Sequence, residues 1–160
     1  MKPAEFFEAI QSDANPDLGP VFLNAPLAND ELTRWQQQNP RFKLPDDLVG
    51  LYKLHNGFRI YAEGDPDNWD RDDGFPILFP LRRFQYAART MYLDNTELDD
   101  GVPDTWLALS TDQDGSQYII LDTATGRYYD MDPVDPTPVG VATDVAELLD
   151  WIYDRYIVNA

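Results

Sequence analysis

Three short apolar runs in the second half constrain the fold more than any other feature. WLALS at 106–110 and YIILD at 118–122 flank TDQDGSQ, and YIILD runs through TATG into RYYDMD at 127–132. Each run has strand length and strand composition. Asp114-Gly115 is a strong turn signal, because both residue types tolerate the positive φ that tight hairpins need. Two successive hairpins make a three-stranded antiparallel meander.

The other periodic segments read as helices. Residues 3–11 place Phe6, Phe7 and Ile10 on one face. Asn15-Pro16 through Pro20 is turn chemistry, and residues 20–28 read as an ordered loop. Asn29 is a suitable N-cap for a helix to about Asn39, with Leu32 and Trp35 facing the core and Asn39-Pro40 ending it. The segment LPDDLVGLYKLHNG, 44–57, states a whole helix. Pro45 suits the first helical position, and Asp46 and Asp47 put negative charge at the positive end of the dipole. Leu48, Leu51, Tyr52 and His55 fall on one face, and Asn56-Gly57 ends it. Gly50 costs about 1 kcal/mol against Ala in a helix and marks a point where another element can approach.

Beyond Gly57 the period becomes two. Phe58, Ile60 and Ala62 alternate with Arg59 and Tyr61, as in a half-buried strand. EGDPDNWDRDDG, 63–74, holds acids around Trp69 with no apolar period, so it reads as a loop. Phe75 to Phe79 reads as an edge strand because of Pro76. Leu81, Phe84, Ala88 and Met91 predict a helix over 81–92, and 94–104 is a second acidic loop. Pro133, Pro136 and Pro138 break the pattern after the meander. Thr143 then caps a last helix with Val145, Leu148, Leu149, Ile152 and Tyr156 in one stripe. The order predicts an α+β fold: a single-domain antiparallel β-sheet with flanking helices over 1–160, with 1–28 an N-terminal extension packed on it.

Charge narrows the partners. Formal net charge is -17, from 29 acids against 12 Lys and Arg. Such a chain repels nucleic acid and anionic membranes and attracts basic proteins. High charge also simply keeps proteins soluble, and charge alone leaves both readings open. No cysteine is present, which excludes disulfides, thiolate zinc sites and thiol nucleophiles. The opening MKPAEFFEAI carries acids early and lacks a long apolar run, unlike a secretory signal, so a cytoplasmic protein is expected.

Catalytic parts are sparse. The single histidine, His55, sits at a helix C-terminus and is read as a capping or packed residue ahead of a general base. There is no GxSxG, GxxxxGK[ST] or GxGxxG, and one His without Cys argues against zinc. Asp65, Asp67, Asp70, Asp72 and Asp73, or Asp112 with Asp114, offer oxygens to calcium, but neither stretch follows the EF-hand spacing. A glycosidase carboxylate pair is a weak signal in a chain with so many acids. No cofactor or metal is expected.

The segment Leu44-Pro45, Asp46-Asp47, Tyr52 and His55-Asn56-Gly57 resembles the signature of the SUKH superfamily. Trp106, Asp114-Gly115, Tyr118 and Gly126 follow in the order of that family, and a helix closes the chain, so the similarity covers roughly 29–158. Phe58 departs from it, standing where many members have a second glycine, and the acidic 63–74 insertion is not part of the general pattern. The resemblance implies a SUKH-like fold and a bacterial immunity protein that binds and neutralises a cognate toxin without catalysis. The alternative it implies is a regulatory scaffold binding endogenous partners. Charge and expected exposure, not the family, select the partner-binding residues: Asp65, Asp67, Trp69, Asp70, Asp72 and Asp73, with Asp99 and Asp100 as a second patch. The expected partner is a cognate protein toxin with a basic surface.

Overall fold

The computed structural model describes residues 1–61, 77–87, 102–111, 118–132 and 138–159. The meander forms as β5 (Trp106–Thr111), β6 (Tyr118–Asp122) and β7 (Arg127–Met131). Flanking strands β4 (Gln85–Tyr86) and β8 (Val139–Ala142) extend it to a five-stranded antiparallel sheet in the order β4-β5-β6-β7-β8. The β8 strand follows Pro138, in a stretch to which the sequence assigns no element.

Register explains the composition of these strands. Leu107 pairs with Leu121 and Ala108 with Ile120, while Ile120 pairs with Tyr129 and Leu121 with Tyr128. Leu107, Leu109, Ile119, Leu121 and Tyr128 point into the main core. Trp106, Ala108, Ile120 and Met131 point the other way, into a smaller buried cluster with Ala87. Both faces are therefore covered, which is why the strands read as nearly continuous apolar runs. The β6–β7 turn is fixed by Asp122, whose Oδ1 accepts from the Ala124 N–H at 2.9 Å and from the Thr105 hydroxyl at 3.2 Å. Gly126 closes that turn at φ 76°.

Four helices are described: α1 (Pro3–Asp13), α2 (Asn29–Gln38), α3 (Asp46–Leu54) and α4 (Val145–Tyr153). Phe6, Phe7 and Ile10 of α1 join the same core as Leu48, Leu51 and Tyr52 of α3 and Leu148, Leu149 and Ile152 of α4. The caps differ by one residue from expectation. Ala28, not Asn29, is the N-cap of α2, and Pro45, expected at the first helical position, is the N-cap of α3. Asp144 caps α4 by accepting from the Glu147 N–H, while Thr143 gives both its N–H and its hydroxyl to Glu147. A π-helical turn, Asp154–Val158, follows α4 and leaves Tyr156 only half-buried. Gly50 meets nothing: a Cβ there has no heavy atom within 4 Å.

A second antiparallel sheet of three two-residue strands contains β1 (Phe22–Leu23), β2 (Phe58–Arg59) and β3 (Ile77–Leu78). It corrects three expectations. The 20–28 loop contains β1. The strand expected over 58–62 ends at Arg59, and Tyr61 turns the chain with φ 56°. Arg59, expected on a wet face, is fully buried, its guanidinium 5.3 Å from the Phe22 ring. The cause is position: β2 is the central strand, flanked on both sides. The helix expected over 81–92 is also absent through Tyr86, where a 3₁₀ turn at Leu81–Arg83 leads into β4. The rest of that expected helix lies outside the described residues.

Candidate functional site

Asp65, Asp67, Trp69, Asp70, Asp72, Asp73, Asp99 and Asp100 lie outside the described residues, as do Asp112 and Asp114. What the structure does show is how the remaining carboxylates are used. Asp47 accepts from the Leu48 N–H and, through its other oxygen, from the Val145 N–H, both at 2.9 Å. One side chain thus ties the starts of α3 and α4. Asp130 holds Arg155 at 2.8 Å, Asp150 holds the N-terminal ammonium at 2.8 Å, and Asp13 accepts from the Tyr153 hydroxyl at 2.7 Å. These acids cap, staple and turn the chain. Among the described residues no group of three or more His, Asp or Glu is arranged to hold a metal ion.

His55 has a structural surrounding. Its Nδ1 lies 2.7 Å from the Asn24 carbonyl, which can only accept, so Nδ1 carries the proton of that bond. The ring meets Phe7 edge-on at 4.6 Å between centroids. Asn56, next in sequence, is buried and accepts from the Leu81 N–H at 2.9 Å. Its backbone N–H donates to Ala25 and its carbonyl accepts from the Asn24 side chain. Gly57 follows at φ 90°, packed so closely that a Cβ would lie 2.5 Å from the Leu78 carbonyl oxygen. His55-Asn56-Gly57 is therefore a clasp that fastens the end of α3 to the segments 24–25 and 78–81.

Two buried hydroxyls sit nearby without access to solvent. Tyr52 donates to the Phe79 carbonyl at 2.7 Å. Burial pushes its pKa up, and Tyr128 adds to the effect. Burial also raises Tyr128, helped by the negative charges of Asp47 and Asp144. Both phenols stay neutral at ordinary pH, which makes them packing groups rather than acids or bases.

One hollow has no counterpart in the sequence reading. An open cleft of about 430 Å³ lies between α2 and the Leu81–Arg83 turn. Trp35, Leu81 and Phe84 line its apolar part, with Arg34 and Arg82 among its polar residues. Trp35 and Phe84 meet edge to face at 6.3 Å. The sequence places Phe84 on a helix face, which hides its partnership with Trp35. The adjacent arginines after Pro80 were the available signal. A smaller hollow of about 280 Å³ lies between β7, β8 and the start of α4. No described helix is long and apolar enough to cross a membrane.

A comparison with curated proteins gives no match. A family model described as SMI1 / KNR4 family (SUKH-1) matches residues 26–151, from just before α2 into α4. That span holds His55-Asn56-Gly57, the five-stranded sheet, β2, β3 and the cleft, while β1 precedes it, and it covers well over half of the chain: the protein belongs to the SMI1 / KNR4 (SUKH-1) family.

Proposed function

We propose that this chain is a bacterial immunity protein, a single SUKH-like domain over 1–160 that neutralises a cognate toxin in the cytoplasm by contact rather than catalysis. The observation that carries the reading is the SUKH-1 match joined to a net charge of -17. Together they favour a binding scaffold whose field draws in a cationic protein, such as a nuclease with a groove built for nucleic acid. The acids of 63–74, Asp65, Asp67, Asp70, Asp72 and Asp73, with Trp69 as an aromatic anchor, form the proposed contact, and Asp99 and Asp100 a second patch. The described carboxylates support this choice indirectly. Several of them already cap helices or hold internal partners, so they are poor candidates for a separable interface.

Co-expression and pull-down with the product of the adjacent gene tests the reading, followed by association kinetics at rising salt. Association should slow as ionic strength rises, because screening shortens the reach of the field. A complex that forms at the same rate in low and high salt would remove the electrostatic part. Reversing charges across 65–73 should weaken binding without unfolding the protein, and an unchanged dissociation constant would exclude that segment. A regulatory scaffold for endogenous proteins is the second reading, favoured by the SMI1 / KNR4 designation of the matched family. A gene with no toxin beside it would point there.

A further inference from the structure

We propose that the cleft between α2 and the Leu81–Arg83 turn docks an acidic segment of a partner protein. A carboxylate of that segment pairs with Arg34 and Arg82, and a neighbouring apolar side chain covers the exposed edges of Trp35 and Phe84. This surface is opposite in sign to the acidic contact proposed above and does not depend on it.

Charge selects the occupant. The chain has only twelve Lys and Arg, and two of them, Arg34 and Arg82, line this cleft; Arg41 pairs with Asp104 at 3.7 Å. Arg41 lies over the Tyr86 ring at 5.7 Å and Arg83 over the Phe79 ring at 4.7 Å, which leaves Arg34 and Arg82 on the cleft itself. Arg34 has a loose partner, Asp30 at 3.9 Å, with both side chains more than two-thirds exposed. Such a pair contributes little and is readily exchanged. Arg82 is exposed and has no ion pair among the described residues. Glu31 also lines the cleft and Asp30 stands beside Arg34, so Arg82 is the lining cation left without a carboxylate among the described residues. Guanidinium matches carboxylate in shape and can hold it through two parallel bonds.

Shape favours a protein segment over a small molecule. A tight small-ligand site covers most of its ligand. This cleft is open, so a small acid would remain largely wet. A chain segment gains its affinity from flanking residues as well, and Gln38 and Asn39 on the rim offer amides to its backbone. The apolar part is rigid, since Trp35 contacts both Phe42 and Phe84, and Phe84 contacts Tyr52. A preorganised floor lowers the ordering cost of docking.

The test is a titration of the isotope-labelled full chain, followed by amide and indole NMR shifts. The probe is a capped pentapeptide with leucine between two glutamates. The controls are the same peptide with lysines for the glutamates, and sodium acetate at equal carboxylate concentration. Shifts should centre on Arg34, Trp35, Gln38, Arg82 and Phe84 with the acidic peptide only. The R34E/R82E variant should bind at least tenfold more weakly. If that variant loses its native spectrum, R34Q/R82Q replaces it with the same expectation. Absent shifts, shifts centred elsewhere, equal binding of the lysine peptide, or full affinity in the folded variant would each overturn the proposal. Acetate reproducing the peptide's shifts and affinity would also overturn it, showing simple anion binding.

Discussion

Replacing Gly57 by alanine should be among the most damaging single-methyl additions available to this protein. The residue sits at φ 90°, where a side chain costs about 1–2 kcal/mol from backbone sterics alone. The new Cβ would lie 2.5 Å from the Leu78 carbonyl oxygen, and 2.8 Å from both the Phe79 carbonyl carbon and the Pro80 nitrogen. Carbon and oxygen ordinarily approach to about 3.3 Å, so the strands must part by roughly 0.8 Å. Neighbouring contacts resist that movement: Phe58 pairs with Leu78, and Asn56 accepts from the Leu81 N–H at 2.9 Å. Forced separation of packed groups costs about 1–3 kcal/mol. The total is about 2–5 kcal/mol, which lowers the melting midpoint by roughly 4–20 °C for a chain of this size. Gly50→Ala is the internal control. It lies in α3 with open space around it, so alanine should stabilise by about 0.5–1 kcal/mol. Urea unfolding followed by circular dichroism reads both, with the slope unchanged if only stability moves. A Gly57→Ala midpoint equal to that of the parent, or an equal fall for both variants, would refute the clasp.

Three further outcomes are expected. Asp47→Ala should cost about 1–2 kcal/mol in urea unfolding, because it takes the acceptor from both the Leu48 and Val145 N–H groups. Asn56→Ala should cost about 1–3 kcal/mol by the same measurement, since it leaves the buried Leu81 N–H without its acceptor. Alkali should unfold the protein progressively above the usual tyrosine range. Tyr52 and Tyr128 have raised pKa values in the folded state, so unfolding releases protons once pH passes about 10. Each then removes about 1.4 kcal/mol of stability per pH unit until its own folded value is reached. Tyr128→Phe should make that decline shallower and cost little at neutral pH, because the hydroxyl makes no hydrogen bond among the described residues. A steep, unchanged alkaline slope in Tyr128→Phe would contradict the assignment.

Local signals in the sequence were enough for the meander and for α3. Asp122, Gly126 and the paired strands act over a few residues, and the stripe of Leu48, Leu51 and Tyr52 is carried by one helix. Features decided by distant neighbours were not legible. Arg59 looks like a wet position until β1 and β3 close on either side of it. Leu81 and Phe84 satisfy a helical spacing of three, but a 3₁₀ turn shares that spacing, and the chain leaves it at once for β4. The short β8 strand has Gly140 at its centre and two exposed residues at its start, so no alternation announces it. The cleft joins residues from two separate parts of the chain, and neither part alone suggests a hollow.

Among the described residues, the centre of the five-stranded sheet has no vacant side. Because β5, β6 and β7 bury side chains above and below, a visitor cannot dock flat on the strands as it does on many half-wetted sheets. The surface left for a partner is at the periphery, where helices, strand margins and connections meet water. Changes of residue there leave the interior unaltered. A scaffold built this way can acquire new specificity by altering its rim while keeping the same framework intact.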